Sequence, residues 1–269
     1  MKKFAVIGSP ISHSLSPQIH SFFAEQNNLQ ISYEAIEVEE KDFSAKVDSL
    51  FNEGYSGLNV TLPLKEAAYS YSKNTSERAS LSESVNTLYI KGESIFGDTT
   101  DGAGLLNDFS EKKIMVKDSN IVLIGAGGSA KAILPSLISE KPRSICLINR
   151  TYEKAKLLEK KYQPTFQNIS SLKVDNELET QADIVINSAS AGILKEEFVL
   201  PKNIFGPKSK VYDLSYSKEE TPFNLYAQKM GVNEMYDGLG MLVQQAALSF
   251  EIWNNFKPST YTIEQNLRP

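Results

Sequence analysis

Short β-branched runs alternate along the chain with longer segments of helical period, the pattern of an α/β protein in which parallel strands are joined by helices. A first strand is predicted over 4–7. Ser16-Pro17 reads as an N-cap followed by proline at the first helical position, and Ile19, Phe22 and Phe23 lay an apolar stripe along the helix that follows. A strand over 33–38, a helix over 43–52, a strand over 57–62 and a helix opening after Pro63 complete a βαβ sheet within the first hundred residues. From Asn120 the rhythm restarts, with a strand over 121–124, a helix from Ser129, a strand over 144–148, a helix over 152–162 and later strands over 183–187 and 210–214. Around Asp237-Gly238 the pattern changes to one long helix over 239–253. Two α/β domains are the natural division.

The turn Gly125-Ala126-Gly127-Gly128-Ser129-Ala130 satisfies the G-x-G-x-x-G/A pattern between a predicted strand and a predicted helix. Glycine permits the tight turn and lets backbone N–H groups approach a pyrophosphate at the helix N-terminus. Lys131, just inside that helix, reads as a solvated charge. The end of the next strand selects the dinucleotide, because an acidic side chain there would accept hydrogen bonds from the adenosine ribose. The chain instead has Asn149-Arg150-Thr151, with Lys154 one turn on. Arginine stacks on adenine and pairs with a 2'-phosphate, so NADP is favoured over NAD, against the plainer reading of Arg150 as a charged loop residue.

A second set of polar residues lies in the first hundred. Asn59 and Thr61 alternate with Leu58, Val60 and Leu62, which places both on one strand face. Lys65 falls in the first turn of the next helix, where the positive end of the helix dipole works against an ammonium. Asp101 lies in the turn Asp98-Thr99-Thr100-Asp101-Gly102, where its plainer reading is a helix cap. Ser14 and Ser16 follow the first strand, and Asn86 adds an amide. Hydroxyls, amides and one ammonium suit a small neutral or anionic polyol, and no G-x-S-x-G elbow, Walker loop or H-E-x-x-H pair competes.

Composition narrows the classes. The 269 residues are 41% hydrophobic and 23% charged, as in an ordinary globular protein, and the net charge of −5 argues against nucleic acid as a partner. The lone Cys146 and two histidines leave no internal disulfide and little material for a metal site, which fits a reducing cytoplasm. The start, Met1-Lys2-Lys3 and an apolar run, mimics a signal peptide but breaks at Gly8-Ser9-Pro10, and no later stretch has the length of a membrane span. Only four of the 28 cations are arginine, at 78, 143, 150 and 268, so the placement of Arg150 carries information.

In register, the segments 8–17, 58–65, 85–87, 97–102, the glycine turn, 149–151 and 237–242 resemble the shikimate dehydrogenase family, and the likeness runs the length of the chain. The resemblance implies reversible reduction of 3-dehydroshikimate to shikimate with NADPH, on the route to chorismate and the aromatic amino acids. It implies a substrate-binding domain over 1–100, a Rossmann-type NADP-binding domain over 101–236 and C-terminal helices over 237–269 returning to the first. Lys65 would transfer the proton with Asp101 as its partner. Ser14 and Ser16 would hold the substrate carboxylate, with Asn59, Thr61, Asn86, Tyr216 and Gln245 completing the substrate contacts; the Gln-Ala-Ala pattern selects Gln245 over Gln244. Leu214 and Gly238 would bring backbone to the nicotinamide, with Glu77 close to the cofactor. The chain departs from the family at Lys154, where arginine is usual and the bidentate fork is lost. It also lacks the usual threonine in the segment 187–192 and a proline at Ser217-Lys218. Two rivals follow: a quinate/shikimate dehydrogenase tolerating NAD, and an NADP-binding regulator without turnover, against which Lys65 and Asp101 argue. Either a monomer or a homodimer is compatible.

Overall fold

The computed structural model describes residues 1–189, 200–201 and 203–268. Residues 190–192, the end of the segment where the family threonine is expected, lie outside them. By its internal contacts the chain divides into two compact units, Met1–Leu105 with Leu242–Pro269, and Leu106–Met241. The first contains β1 (Lys2–Gly8), α1 (Ser16–Gln26), β2 (Ile31–Glu37), α2 (Phe43–Asn52), β3 (Tyr55–Val60), α3 (Lys65–Tyr71), β4 (Asn74–Thr75), α4 (Glu77–Ser82), β5 (Thr87–Lys91) and β6 (Ser94–Asp98), and the chain leaves it within α5 (Asp101–Glu111). The second contains β7 (Asn120–Ile124), α6 (Gly128–Ser139), β8 (Ser144–Ile148), α7 (Tyr152–Tyr162), β9 (Ile169–Leu172), β10 (Ala182–Asn187), β11 (Phe205–Asp213), α8 (Pro222–Lys229) and β12 (Glu234–Tyr236). The chain re-enters the first unit within α9 (Leu239–Asn254) and ends after α10 (Ile263–Leu267). Among the described residues no helix is long and apolar enough to cross a membrane.

The sheet of the first unit has the order β2-β1-β3-β5-β6-β4. β1 runs parallel to both β2 and β3, whereas β3 pairs β5 and β5 pairs β6 antiparallel. β5 and β6 add antiparallel pairs to the parallel β1, β2 and β3 that the βαβ pattern predicts. Only Gly92 and Glu93 separate β5 from β6, which suits a hairpin and is far too short for a parallel crossover. Side chains alternate across the sheet. Ala5, Ile7, Leu58 and Val60 join a buried cluster with Val47 and Leu50 of α2 and Ala68 of α3. Period two therefore turns Asn59 to the opposite face, where Ile19 and Phe23 of α1 pack with Val243, Ala246, Ala247 and Phe250 of α9.

Two local readings are corrected. Leu15, not Ser16, caps α1: its backbone is already helical (φ −82°, ψ −5°), so Ser16 falls inside the first turn. It is Ser14 that works locally, its Oγ accepting the Ser16 N–H at 3.3 Å. β3 ends at Val60, so Thr61 lies one residue beyond the strand. Its N–H still donates to Ile7 O at 2.9 Å, while its carbonyl accepts the Leu64 N–H at 2.9 Å and closes the turn into α3.

The second sheet is parallel throughout, in the order β12-β11-β10-β7-β8-β9. Numbered within the unit, this is 3-2-1-4-5-6 read from β9, the doubly wound order that binds dinucleotides where the winding reverses. That point lies between β7 and β10. In the first sheet the winding reverses between β1 and β3, whose carboxyl ends lead to Ser14, Ser16, Thr61 and Lys65.

Candidate active site

Lys65 is the first residue of α3 and Asp101 the first of α5. Lys65 Nζ donates to Asp101 Oδ2 at 2.7 Å, with the two side chains only 11% and 5% exposed. The other oxygen, Oδ1, accepts from Asn86 Nδ2 at 3.0 Å. Both oxygens of the Asp101 carboxylate thus serve side chains, which displaces its reading as a helix cap. Asn86 takes over that local role, its Oδ1 accepting the Thr100 N–H at 2.9 Å just ahead of α5. Its Nδ2 also faces Thr100 Oγ1 at 2.8 Å and Gln245 Oε1 at 3.0 Å. α9 brings Gln245 this close because Gly104 of α5 has no side chain; a Cβ there would lie 2.7 Å from Gln245 Cβ.

The network continues through Asn59. Its Nδ2 donates to Asn86 O at 3.1 Å and Ser249 Oγ at 3.0 Å, and its Oδ1 accepts from Tyr33 at 2.7 Å. Of the residues predicted to meet substrate or proton, Lys65, Asp101, Asn86, Asn59 and Gln245 are therefore joined. Ser16 is buried beside the Tyr33 phenol, and Ser14 is half-buried at the same loop. Thr61 is half-buried and enters through its backbone. Glu77 is exposed at the start of α4. Its neighbour Arg78 grips Asp98 with two bonds at 2.7 and 2.8 Å, and Asp98 Oδ1 accepts the Thr99 N–H at 2.7 Å, which anchors the turn leading to Asp101.

Three members of the network, Thr87, Ser249 and Tyr33, escaped the sequence reading. Ser249 carried a usable signal, since it follows Gln245 by four residues and so shares its helix face. Thr87 sits opposite Asn59 in the β3–β5 register, a non-local pairing that only the hairpin reveals.

In the second unit the predicted cofactor residues gather at the reversal of winding. Gly125 has φ +105°, and a Cβ on it would strike Ser188, whose Oγ donates to Ile124 O at 2.7 Å. Gly127 caps α6 without a side-chain bond, and a Cβ there would meet nothing within 4 Å. A glycine cap with no side chain over the start of a twelve-residue helix fits a dinucleotide pyrophosphate, with Ala126, Gly128, Ser129 and Ala130 completing the turn. Beyond β8, Asn149 Nδ2 ties the loop by donating to Thr151 O at 2.8 Å, and Arg150 and Lys154 are exposed. These cations suit a 2'-phosphate.

Leu214 follows β11, its N–H donating to Asn187 O at 2.8 Å. Gly238 donates to Ser215 O at 2.9 Å, and any side chain on it would run into the Leu214 carbonyl. The buried Asp213 carboxyl is pushed up by burial, opposed by hydrogen bonds from Thr221, Ser215 and Asn187; it holds this loop, on which Tyr216 is half-buried.

Comparison with known proteins finds likeness in both units. The chain matches the models for a shikimate dehydrogenase substrate binding domain over residues 6–88, shikimate / quinate 5-dehydrogenase over 108–203 and a shikimate 5'-dehydrogenase C-terminal domain over 238–268. It is 41% identical to the NADP(+) shikimate dehydrogenase of Psychromonas ingrahamii over 100% of this chain and 98% of that protein. That of Legionella pneumophila is 41% identical over 100% and 99%. The crystal structure of shikimate 5-dehydrogenase from Thermus thermophilus in complex with NADP(H) and shikimate superposes with a TM-score of 0.86 at 29% identity, covering 98% of each chain. A buried Lys–Asp pair at one reversal of winding, a dinucleotide turn at another and full-length likeness agree: the chain belongs to the shikimate dehydrogenase family.

Proposed function

We infer that this chain catalyses the reversible, NADPH-dependent reduction of 3-dehydroshikimate to shikimate. The observation that carries the reading is the Lys65–Asp101 pair, an ammonium aimed by a carboxylate inside a network of hydroxyls and amides that holds no other cation among the described residues. When bound, NADPH supplies a hydride to the C3 carbonyl carbon. The chain's own part is the proton. Lys65 gives one from Nζ to the carbonyl oxygen as alkoxide charge develops, and takes it back in the reverse direction. Asp101 Oδ2, 2.7 Å from Nζ, orients the ammonium. Asn59, Asn86, Thr61, Tyr216 and Gln245 offer donors and acceptors for the ring hydroxyls.

Ser14 and Ser16 lie at the start of α1, where their hydroxyls and the positive end of an eleven-residue helix favour the substrate carboxylate. The first unit is proposed to take the substrate and the second the cofactor, with Glu77 adding a cofactor contact. Leu214 and Gly238 would offer backbone to the nicotinamide. The network of the first unit is drawn from one chain, which suits a monomer or a homodimer, and the lone Cys146 suits a reducing cytoplasm.

The test is absorbance loss from NADPH when the purified protein meets 3-dehydroshikimate, with NADH and quinate assayed in parallel. Turnover favouring NADPH and the shikimate couple is expected; no turnover overturns the reading. Arg150→Ala checks the cofactor half. Charge-assisted bonds to phosphate contribute about 1.5–3 kcal/mol, so the KM for NADPH should rise roughly 10- to 100-fold, with little change for NADH.

A further inference from the structure

Tyr33 belongs to the edge strand β2, opposite Phe4 of β1, where an aromatic side chain ordinarily meets solvent. Here its ring lies flat against His20, with centroids 4.2 Å apart and planes 11° from parallel, and Trp253 flanks the pair. His20 is fully buried, touches Phe23 and Phe250, and neither ring nitrogen reaches a hydrogen-bond partner. The imidazole therefore acts as a flat apolar surface, and the stack fixes where the phenol points. It points at Asn59, donating to Oδ1 at 2.7 Å, with Ser16 beside it.

The two ends of the Asn59 amide are not interchangeable. Asn86 O is a carbonyl and accepts only, so the Asn59 nitrogen must face it at 3.1 Å, which leaves Oδ1 toward Tyr33. Without the phenol, Oδ1 is a buried acceptor with nothing to accept, and the amide is held at its nitrogen end alone, by Asn86 O and Ser249 Oγ. Asn86 in turn holds Asp101 Oδ1 at 3.0 Å, so the orientation of Asn59 is linked to that of the proton-transfer pair.

We propose that Tyr33 is a positioning residue for substrate binding: clamped on His20, its hydroxyl sets the Asn59 amide that meets the ring hydroxyls, next to the serine that meets the carboxylate. This rests on the shikimate reading of the site. Tyr33→Phe keeps the ring and its stack and removes one hydroxyl. The KM for 3-dehydroshikimate should rise about tenfold, with kcat within threefold of wild type and the KM for NADPH unchanged. A merely structural hydroxyl would lower the melting temperature and leave the two KM values in their original ratio.

A double-mutant cycle with Asn59→Ala adds a second arm. If Tyr33 acts through Asn59, removing the hydroxyl should change the substrate KM less than twofold once the amide is gone. A substrate KM within twofold of wild type for Tyr33→Phe, or full additivity in the cycle, overturns the proposal. Wild type run alongside keeps the questions apart, since its failure to reduce 3-dehydroshikimate would remove the shikimate reading itself.

Discussion

Lys65→Met should lower kcat for 3-dehydroshikimate reduction by roughly 10²- to 10⁴-fold, the range for losing a positioned general acid, while the KM for NADPH stays near wild type. Methionine keeps most of the stem and removes the ammonium proposed to give a proton to the developing alkoxide. The variant also strands a charge. Asp101 is 5% exposed, and removing one partner of a buried pair typically costs about 3–5 kcal/mol. Lost activity could then be confused with lost structure, and Lys65→Met combined with Asp101→Asn separates the two. The neutral amide needs no counter-ion and still meets Asn86, so the double variant should regain much of the lost melting temperature with no return of turnover. Single-variant turnover within a few-fold of wild type would end the assignment of Lys65 as proton donor. Turnover returning with stability in the double variant would do the same.

What the chain's pattern announces, and what it conceals, follows the range of the interactions. α2, β8 and α7 begin and end where periodicity and flanking residues place them, since each is specified by its own few turns. The glycine turn and Arg150 are equally local, which is why NADP as the cofactor could be read from two short segments. The hairpin of β5 and β6 escapes that pattern, although Gly92-Glu93 between two short apolar runs, Leu88-Tyr89-Ile90 and Ile95-Phe96, is a signal for it. With it went Thr87, whose contact with Asn59 exists only through strand pairing. The roles of Ser14 and Ser16 were exchanged because the start of α1 depends on the backbone of Leu15, a residue without capping chemistry of its own. Tyr33 was hidden for another reason: an aromatic residue on a strand reads as core, and only the fold shows its hydroxyl reaching an amide 26 positions away.

Acid should destabilise this protein earlier than its carboxylates alone would, through His20. Burial lowers its pKa from 6.5 to about 3, only weakly opposed by the Asn59 amide nearby. Between those values the unfolded chain binds a proton that the folded one does not, so the stabilisation is complete above pH 6.5 and is lost as the pH falls toward 3. At about 1.36 kcal/mol per pH unit the loss is roughly 2 kcal/mol by pH 5 and roughly 4–5 kcal/mol at the acid end. His20→Phe keeps a flat ring among Tyr33, Phe23, Phe250 and Trp253 and has nothing to titrate. Urea unfolding of both proteins at pH 7, 6, 5 and 4 isolates the effect, because every other group titrates in both. That includes Asp213, whose raised carboxyl pKa works in the opposite sense and adds stability on acidification. The difference between the curves should be flat above pH 6.5 and then move in favour of the variant by about one proton's slope. Parallel curves from pH 7 to 4 would mean that His20 accepts its proton in the folded state, and that the aromatic cage around it is open to water.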